Sequence, residues 1–345
     1  MSDLGVQGGD TRGWTATALD LSTCVNPYGP PPAVMEMLRN ISSKDVRSHP
    51  YGADLRVQEV YAEVTRQPTE TLVPGQGTSE FIWHLSHLFL GKRVGLPLPT
   101  YTEYRKFFPD AHTYGSGPST HGLDVLDYAM SACDAVVISN PHNPTGQVLA
   151  RSDLNDIAAR HPSAVLVVDE SYVDFLPDHR EVTCIGADLD NLLVLRSPSK
   201  FYGLAGLRTG VLWSLSSINT AIRSSQMTWP VAAISANALA CALDETTWAA
   251  KTRIQLHQDG EWLAKELRAA GLRPAAGSLH FRLLTDNDRI ISRLVEITAR
   301  HNVRIRELTQ AHGVGGPAVR ISAPRNSQRE TASRAFRAFE ETAPH

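Results

Sequence analysis

The stretch LLVLRSPSKFYGLAGLRTG, residues 192–210, places Ser197, Ser199 and Lys200 directly after a strand-like apolar run, with Arg208 eight positions beyond the lysine. Lysine is scarce relative to arginine in this chain, and Lys200 is the candidate nucleophile. A lone lysine after a strand is ordinarily a solvated charge. Two hydroxyls and an arginine around it instead make a basic, donor-rich pocket suited to a phosphate dianion. In VLVVDESYVDF, residues 165–175, four apolar residues deliver Asp169 to a strand end, where a carboxylate is either a helix N-cap or a functional group. In VVISNPHNPTG, residues 136–146, a strand runs into two Asn-Pro steps and a glycine. Proline fixes its own φ and drives the residue before it out of the helical region, so the chain must turn sharply there.

All three segments put polar residues at the C-terminal end of a predicted strand, the edge at which open α/β sheets bind ligands. Strand-like runs at Arg93–Leu96, Ala135–Ser139, Val165–Asp169 and Leu192–Leu195, with a helical pattern at Arg151–Arg160, predict an α/β fold. Its sheet is mostly parallel and sandwiched by helices. Beyond Pro230 the pattern changes to helices at Val231–Leu243 and Thr246–Ala270. Strands near Leu279–Leu284, Val303–Arg306 and Ala318–Ser322 and a last helix follow, as expected of a smaller α+β domain. We therefore expect a large domain over 36–245 and a small one built from both termini, 1–35 and 246–345.

Composition narrows the function. A chain of 345 residues, 42% hydrophobic and 20% charged, can bury the cores of two domains. A formal net charge of -3 gives no basic stripe for nucleic acid. The four cysteines are far apart, so neither a zinc site nor a redox pair is expected, and they read as buried thiols. The start of the chain is polar and glycine-rich, and no stretch approaches 18 uninterrupted apolar residues; we expect no membrane span and a cytoplasmic protein.

Taken in order, LDLSTCVNPYGPP (19–31), GQGTSE (75–80), PTYTEY (99–104), NPHNPTG (140–146), DESYVDF (169–175), RSPSKFYGLAGLRTG (196–210) and VRIS (319–322) resemble the fold-type I enzymes that use pyridoxal 5'-phosphate. Within them they are most similar to the branch of histidinol-phosphate aminotransferase and threonine-phosphate decarboxylase. The resemblance spans most of the chain, and the lysine segment is its most specific part. It implies that Lys200 holds the cofactor as a Schiff base and moves the proton, and that Asp169 keeps the ring nitrogen protonated. Asn143 and Tyr172 correspond to the pair that hydrogen-bonds the ring's phenolic oxygen. Tyr101 corresponds to the aromatic stacked on the ring. The phosphate is expected at the backbone N–H groups of Thr78 and Ser79, where Gly77 opens a helix, together with Ser197, Ser199 and Arg208. Arg320 corresponds to the arginine that pairs with a substrate α-carboxylate, Asn26 lies in a matching substrate segment, and Arg306 corresponds to an arginine that some members use for a substrate phosphate. The family's turn further implies a cis Asn143–Pro144 bond.

The sequence departs from the family at several points. Where the branch has a Tyr-Pro pair reaching the partner subunit's cofactor phosphate, this chain has His49, Pro50 and Tyr51, so His49 or Tyr51 or neither reaches across. His142 interrupts an Asn-rich turn, and His280 stands where Asn is more common. Glu103 and Tyr28 also belong to segments around the substrate.

The expected activity is transfer of an amino group between an amino acid and a 2-oxo acid, in a homodimer. Loss of the α-carboxylate, as in threonine-phosphate decarboxylase, is the alternative, because sequence does not fix which bond stands perpendicular to the ring. An oxidase or cyclase is a third reading within the fold. A cofactor-binding regulator without catalysis would need a DNA-binding module, and too few residues precede Asn26 to form one.

Overall fold

The computed structural model describes residues 8–10, 12–115 and 122–341. Of the polar N-terminal stretch, residues 1–7 and 11 lie outside the described residues. Twelve strands occur among those described: β1 (Leu19–Asp20), β2 (Leu72–Gly75), β3 (Val94–Pro97), β4 (His112–Tyr114), β5 (Ala135–Ser139), β6 (Val165–Asp169), β7 (Leu192–Arg196), β8 (Gly210–Ser214), β9 (Phe281–Thr285), β10 (Val303–Arg304), β11 (Arg306–Leu308) and β12 (Ala318–Ser322).

Seven of them form one sheet in the order β2-β8-β7-β6-β5-β3-β4. The five from β7 to β4 are parallel, and β8 runs antiparallel to both β7 and β2. Side-chain alternation explains why β5, β6 and β7 read as unbroken apolar runs. Val136, Ile138, Leu166, Val168, Leu192 and Val194 pack into a core on one face, whereas Ala135, Val137, Val167, Leu193 and Leu195 pack into a second core on the other. A sheet covered on both faces has no solvent side to mark with polar residues. Each such buried valine, leucine or isoleucine stabilises the fold by about 1.5–3 kcal/mol. The covering helices keep the expected period, as in Arg151–Arg160, where Leu154, Ile157 and Ala158 are the buried positions.

The registers Ser139↔Asp169 and Asp169↔Leu195 bring the carboxyl ends of β5, β6 and β7 level with one another. The asparagine turn, Asp169 and the lysine loop therefore leave the sheet side by side.

The remaining strands lie elsewhere. β11, β12 and β9 make an antiparallel sheet, and β1 pairs in parallel with β10. The expected single strand at Val303–Arg306 is divided: Val303 and Arg304 pair with β1, and Arg306 onward pairs with β12. Leu19 and Leu21 share a core with Leu263, Leu284, Val303, Ile321 and Phe336, so the N-terminal segment packs with the C-terminal third. A further apolar cluster joins the two regions through Tyr172, Phe175, Phe201, Leu256 and Phe281. Cys24, Cys133 and Cys184 are buried, Cys241 is half-buried, and all four are free thiols. Among the described residues no helix is long and apolar enough to cross a membrane.

Candidate active site

Lys200 follows β7 at the level sheet edge. Its Nζ stands 4.2 Å from the ring centroid of Tyr172 and 6.0 Å from that of Tyr101. Burial pushes the ammonium below its ordinary range, and the nearby Asp169 charge opposes that shift. A lysine held this way approaches the neutral state in which an amine can attack a carbonyl or take a proton.

Asp169 is buried at the end of β6. One oxygen, Oδ1, accepts hydrogen bonds from the Ser171 N–H, at 2.9 Å, and from the Ser171 hydroxyl. The other, Oδ2, accepts the Tyr104 hydroxyl at 2.8 Å. Asp169 makes no ion pair among the described residues. It is therefore a buried carboxylate held by neutral donors, and it does not cap a helix.

The anion cradle lies beside these groups. Gly77 has φ 87° and precedes the helix Thr78–Leu88, whose first N–H groups are free of intrahelical partners. The Arg208 guanidinium reaches the Gln76 carbonyl at 3.4 Å and makes no ion pair among the described residues. A Cβ on Gly77 would approach the Arg208 Nη2 at 3.1 Å, and one on Gly210 would stand 2.7 Å from the Gly77 Cα. Side chains at either position would fill the cradle. Ser197 and Ser199 are buried and share a hydrogen bond of 2.9 Å. The Thr78 hydroxyl lies 3.5 Å from that of Ser171, linking the cradle to the Asp169 turn. Ser79 follows Thr78 in the first turn.

Asn143 and Arg320 meet directly. The guanidinium donates Nη1 to Asn143 Oδ1 at 2.6 Å and Nη2 to the Ser22 carbonyl at 3.1 Å, while its buried Nε has no hydrogen-bond partner among the described residues. The Asn143–Pro144 bond is cis. Arg306 faces Arg320 across the β11–β12 pair, so both guanidiniums arise on one face of that sheet. Burial, with Arg320 and Arg304 nearby, lowers Arg306 to about 10. Tyr101 and Tyr172 are raised by burial, Tyr101 to about 12 and Tyr172 well above the ordinary range. Both remain neutral phenols.

The remaining candidate residues are placed as follows. Asn26 was expected to touch substrate, but its amide donates to the Phe201 carbonyl at 2.8 Å and its Oδ1 accepts the Tyr28 N–H at 2.9 Å. Its backbone N–H also donates to the Lys200 carbonyl, so Asn26 braces the lysine loop. Tyr51 is 80% exposed, and its ring contacts are with His49 and Trp229 rather than with the cradle of its own chain. Tyr28 donates its hydroxyl to the buried Asp259 at 2.8 Å. Glu103, half-buried, lies 3.5 Å from the Lys106 ammonium, and its charge acts on Tyr101.

Two of the buried histidines, His142 and His280, are structural in setting. His142 bridges the Thr145 hydroxyl at 2.7 Å and the Pro99 carbonyl at 2.8 Å, a pattern that puts the proton on Nε2. It ties the asparagine turn to the loop that carries Tyr101. His280 stacks on Phe175 at 4.6 Å, and neither of its ring nitrogens has a hydrogen-bond partner among the described residues.

Sequence reasoning missed Tyr104 and Arg196. Tyr104 is three residues beyond Tyr101 on the same helical turn, and that spacing was its available signal. Arg196 is buried between Glu170, at 3.1 Å, and Asp174, at 2.5 Å, and fastens the end of β7 to the turn after β6.

A buried amine, a buried carboxylate that makes no ion pair among the described residues and a glycine-lined anion cradle with an arginine fit a group carrying an aldehyde, a cationic ring nitrogen and a phosphate. Residues 16–339 match the family Aminotransferase class I and II. The chain belongs to that family. As an aminotransferase of this class it uses pyridoxal 5'-phosphate and moves an amino group between an amino acid and a 2-oxo acid. It is 26% identical to histidinol-phosphate aminotransferase of Gluconacetobacter diazotrophicus over 84% of this chain and 82% of the relative. It is 30% identical to histidinol-phosphate aminotransferase 2 of Archaeoglobus fulgidus over 72% of this chain and 73% of the other. The fold matches histidinol-phosphate aminotransferase from Sinorhizobium meliloti in complex with pyridoxal-5'-phosphate, with a TM-score of 0.84, 18% identity and coverage of 94% and 91%. It also matches L-threonine-O-3-phosphate decarboxylase from Porphyromonas gingivalis, with a TM-score of 0.80, 21% identity and coverage of 94% and 100%.

Proposed function

We propose that this aminotransferase acts on an amino acid carrying a second acidic group, and that Lys200 is its catalytic residue. The reading rests on one observation: a desolvated lysine, a buried carboxylate and an arginine-lined anion cradle share the level edge of β5, β6 and β7. When bound, the cofactor supplies an electron sink for the carbanion formed at the substrate's α-carbon. The chain's own residues do the rest. Arg208, Ser197, Ser199 and the N–H groups of Thr78 and Ser79 hold the phosphate. Asp169 would pair with the ring nitrogen and stabilise its proton, since a nearby negative charge raises the pKa of a pyridinium. Tyr101 would cover the ring, and Asn143 and Tyr172 would hydrogen-bond its phenolic oxygen. Lys200 would hold the aldehyde carbon until the substrate amine displaces it, and its freed amine would then carry the proton from the substrate α-carbon to the former aldehyde carbon, acting in turn as general base and general acid.

Arg320 receives the α-carboxylate through the orphaned Nε and the donor now on Ser22. Arg306, its cross-strand neighbour, takes the second acidic group. The curated relatives named for histidinol phosphate accord with an anionic substrate of a biosynthetic pathway. We further propose a homodimer in which His49 or Tyr51 approaches the partner's phosphate.

Borohydride reduction of the loaded enzyme followed by peptide mapping tests the assignment. The label is expected on Lys200, Lys200→Ala should lose turnover by about a thousandfold or more, and a label on another lysine overturns it. A single-turnover spectrum with acidic amino acids should end in the pyridoxamine form without carbon dioxide. Release of carbon dioxide would instead establish the decarboxylase reading.

A further inference from the structure

We propose that Tyr104 is a positioning residue for the cofactor ring, acting through Asp169; the inference rests on the assignment of Asp169 to the ring nitrogen. An ionised carboxylate offers about four acceptor sites. The chain fills three of them, with the Ser171 N–H and hydroxyl on Oδ1 and the Tyr104 phenol on Oδ2. One site remains, on the oxygen that Tyr104 holds. The phenol thereby fixes which way the carboxylate turns and how basic its open lone pair is.

The surroundings make this bond more than packing. Tyr104 is 1% exposed, and burial, then the Asp169 charge, keeps its phenol protonated far into the alkaline range. It is a permanent donor. Lys200, Tyr101 and Tyr172 also feel the Asp169 charge, and of these Lys200, whose ammonium burial disfavours, is the only base. A hydrogen bond to the ionised form stabilises that form. Donors on Asp169 therefore keep the shared proton on the ring nitrogen instead of on the carboxylate. One helical turn serves both ends of the arrangement. Tyr101 and Tyr104 meet edge to face at 5.7 Å, and the Tyr104 N–H donates to the Tyr101 carbonyl at 3.1 Å. The PTYTEY segment thus delivers one ring to the cofactor's face and one hydroxyl to its counter-ion.

Tyr104→Phe keeps the ring and removes only the hydroxyl. With the loaded holoenzyme, the readouts are the pH midpoint of the visible absorption band of the Lys200-bound cofactor and the 15N shift of ring-labelled cofactor. Without the phenol, Asp169 becomes a stronger base and draws the proton toward itself. A less positive ring then raises the pH midpoint by about half a unit or more. The nitrogen resonance should move toward the unprotonated value, and cofactor affinity should fall several-fold. If Tyr104→Phe fails to load, Tyr104→His, which restores an N–H donor, decides: recovery of loading with a near wild-type midpoint supports the proposal, and failure overturns it. Wild-type midpoint and 15N shift in Tyr104→Phe would overturn the role of Tyr104 alone. Loading of the wild type at a lysine other than Lys200 would overturn the underlying assignment as well.

Discussion

Three buried histidines, His142, His280 and His312, are held neutral, and that has a measurable consequence. Burial lowers His280 to about 3, and His142 and His312 to about 4, against an ordinary value of 6.5. Below about pH 6.5 the unfolded chain binds a proton at each site that the folded chain refuses, so stability is lost as pH falls toward the folded values. Each histidine removes up to about 1.4 kcal/mol per pH unit in that window. Urea unfolding of the cofactor-free protein should therefore weaken steeply between about pH 6 and pH 4.5. His280 has no hydrogen bonds to lose, so His280→Leu should lessen that slope by about one proton's worth. A slope unchanged by the substitution would show that His280 takes up its proton in the fold. At this scale the sequence was legible where a strand end points a residue at the ligand edge, as with Lys200, Asp169 and Asn143. It was silent on Tyr104, Arg196 and the bracing role of Asn26, because those depend on which element packs across from them. No local pattern near Asp169 announces a phenol 65 positions away.

Among the elements, the approach of β8 to the phosphate loop is as important as any side chain. Gly210 opens β8 and pairs with Gly75 of β2, which leaves little room above Gly77. An added Cβ there would stand 2.7 Å from the Gly77 Cα and 3.0 Å from the Arg196 carbonyl, both backbone atoms that cannot rotate away. Gly210→Ala should push the loop outward, displacing the Thr78 and Ser79 N–H groups from Arg208. We expect about a tenfold loss of cofactor affinity by equilibrium dialysis, with thermal stability of the cofactor-free protein changed much less. Equal affinity would mean that the loop does not hold the phosphate. The central strands β5, β6 and β7 were legible as apolar runs. β2 and β8 were not singled out: β2 is four residues long and contains Pro74, which an edge strand tolerates. β8 follows the lysine loop so closely that its valine, leucine and tryptophan read as the tail of that motif. The division of Val303–Arg306 between two sheets was equally hidden, since both halves have the same strand-like composition.

For the whole molecule, Leu19 and Leu21 in the core built by residues 263–339 support the proposed small domain from both termini, with the seven-stranded sheet as the large one. The same scale holds the question of assembly. Tyr51 and Met227 are each 80% exposed and Val46 is 68% exposed. His49 stacks on Trp229 at 4.2 Å, with Tyr51 edge-on to the same indole at 5.7 Å. Exposed aromatics grouped in this way are costly in water and are enriched where chains meet. A C2 pair uses one patch twice, so a single surface would both close the dimer and carry His49 and Tyr51 toward the partner's cradle. Sedimentation at micromolar concentration should give a dimer. A mixing experiment tests the shared site directly. Chains carrying Lys200→Ala keep the aromatics, and chains carrying His49→Ala with Tyr51→Ala keep the lysine. Each is expected to be poorly active alone, yet a hybrid dimer contains one site with both parts intact. Coexpression should restore activity to about a quarter of the wild-type level, as half of random pairs are hybrids with one complete site each. A fully active monomer, or no recovery in an isolated hybrid, would confine the phosphate site to a single chain.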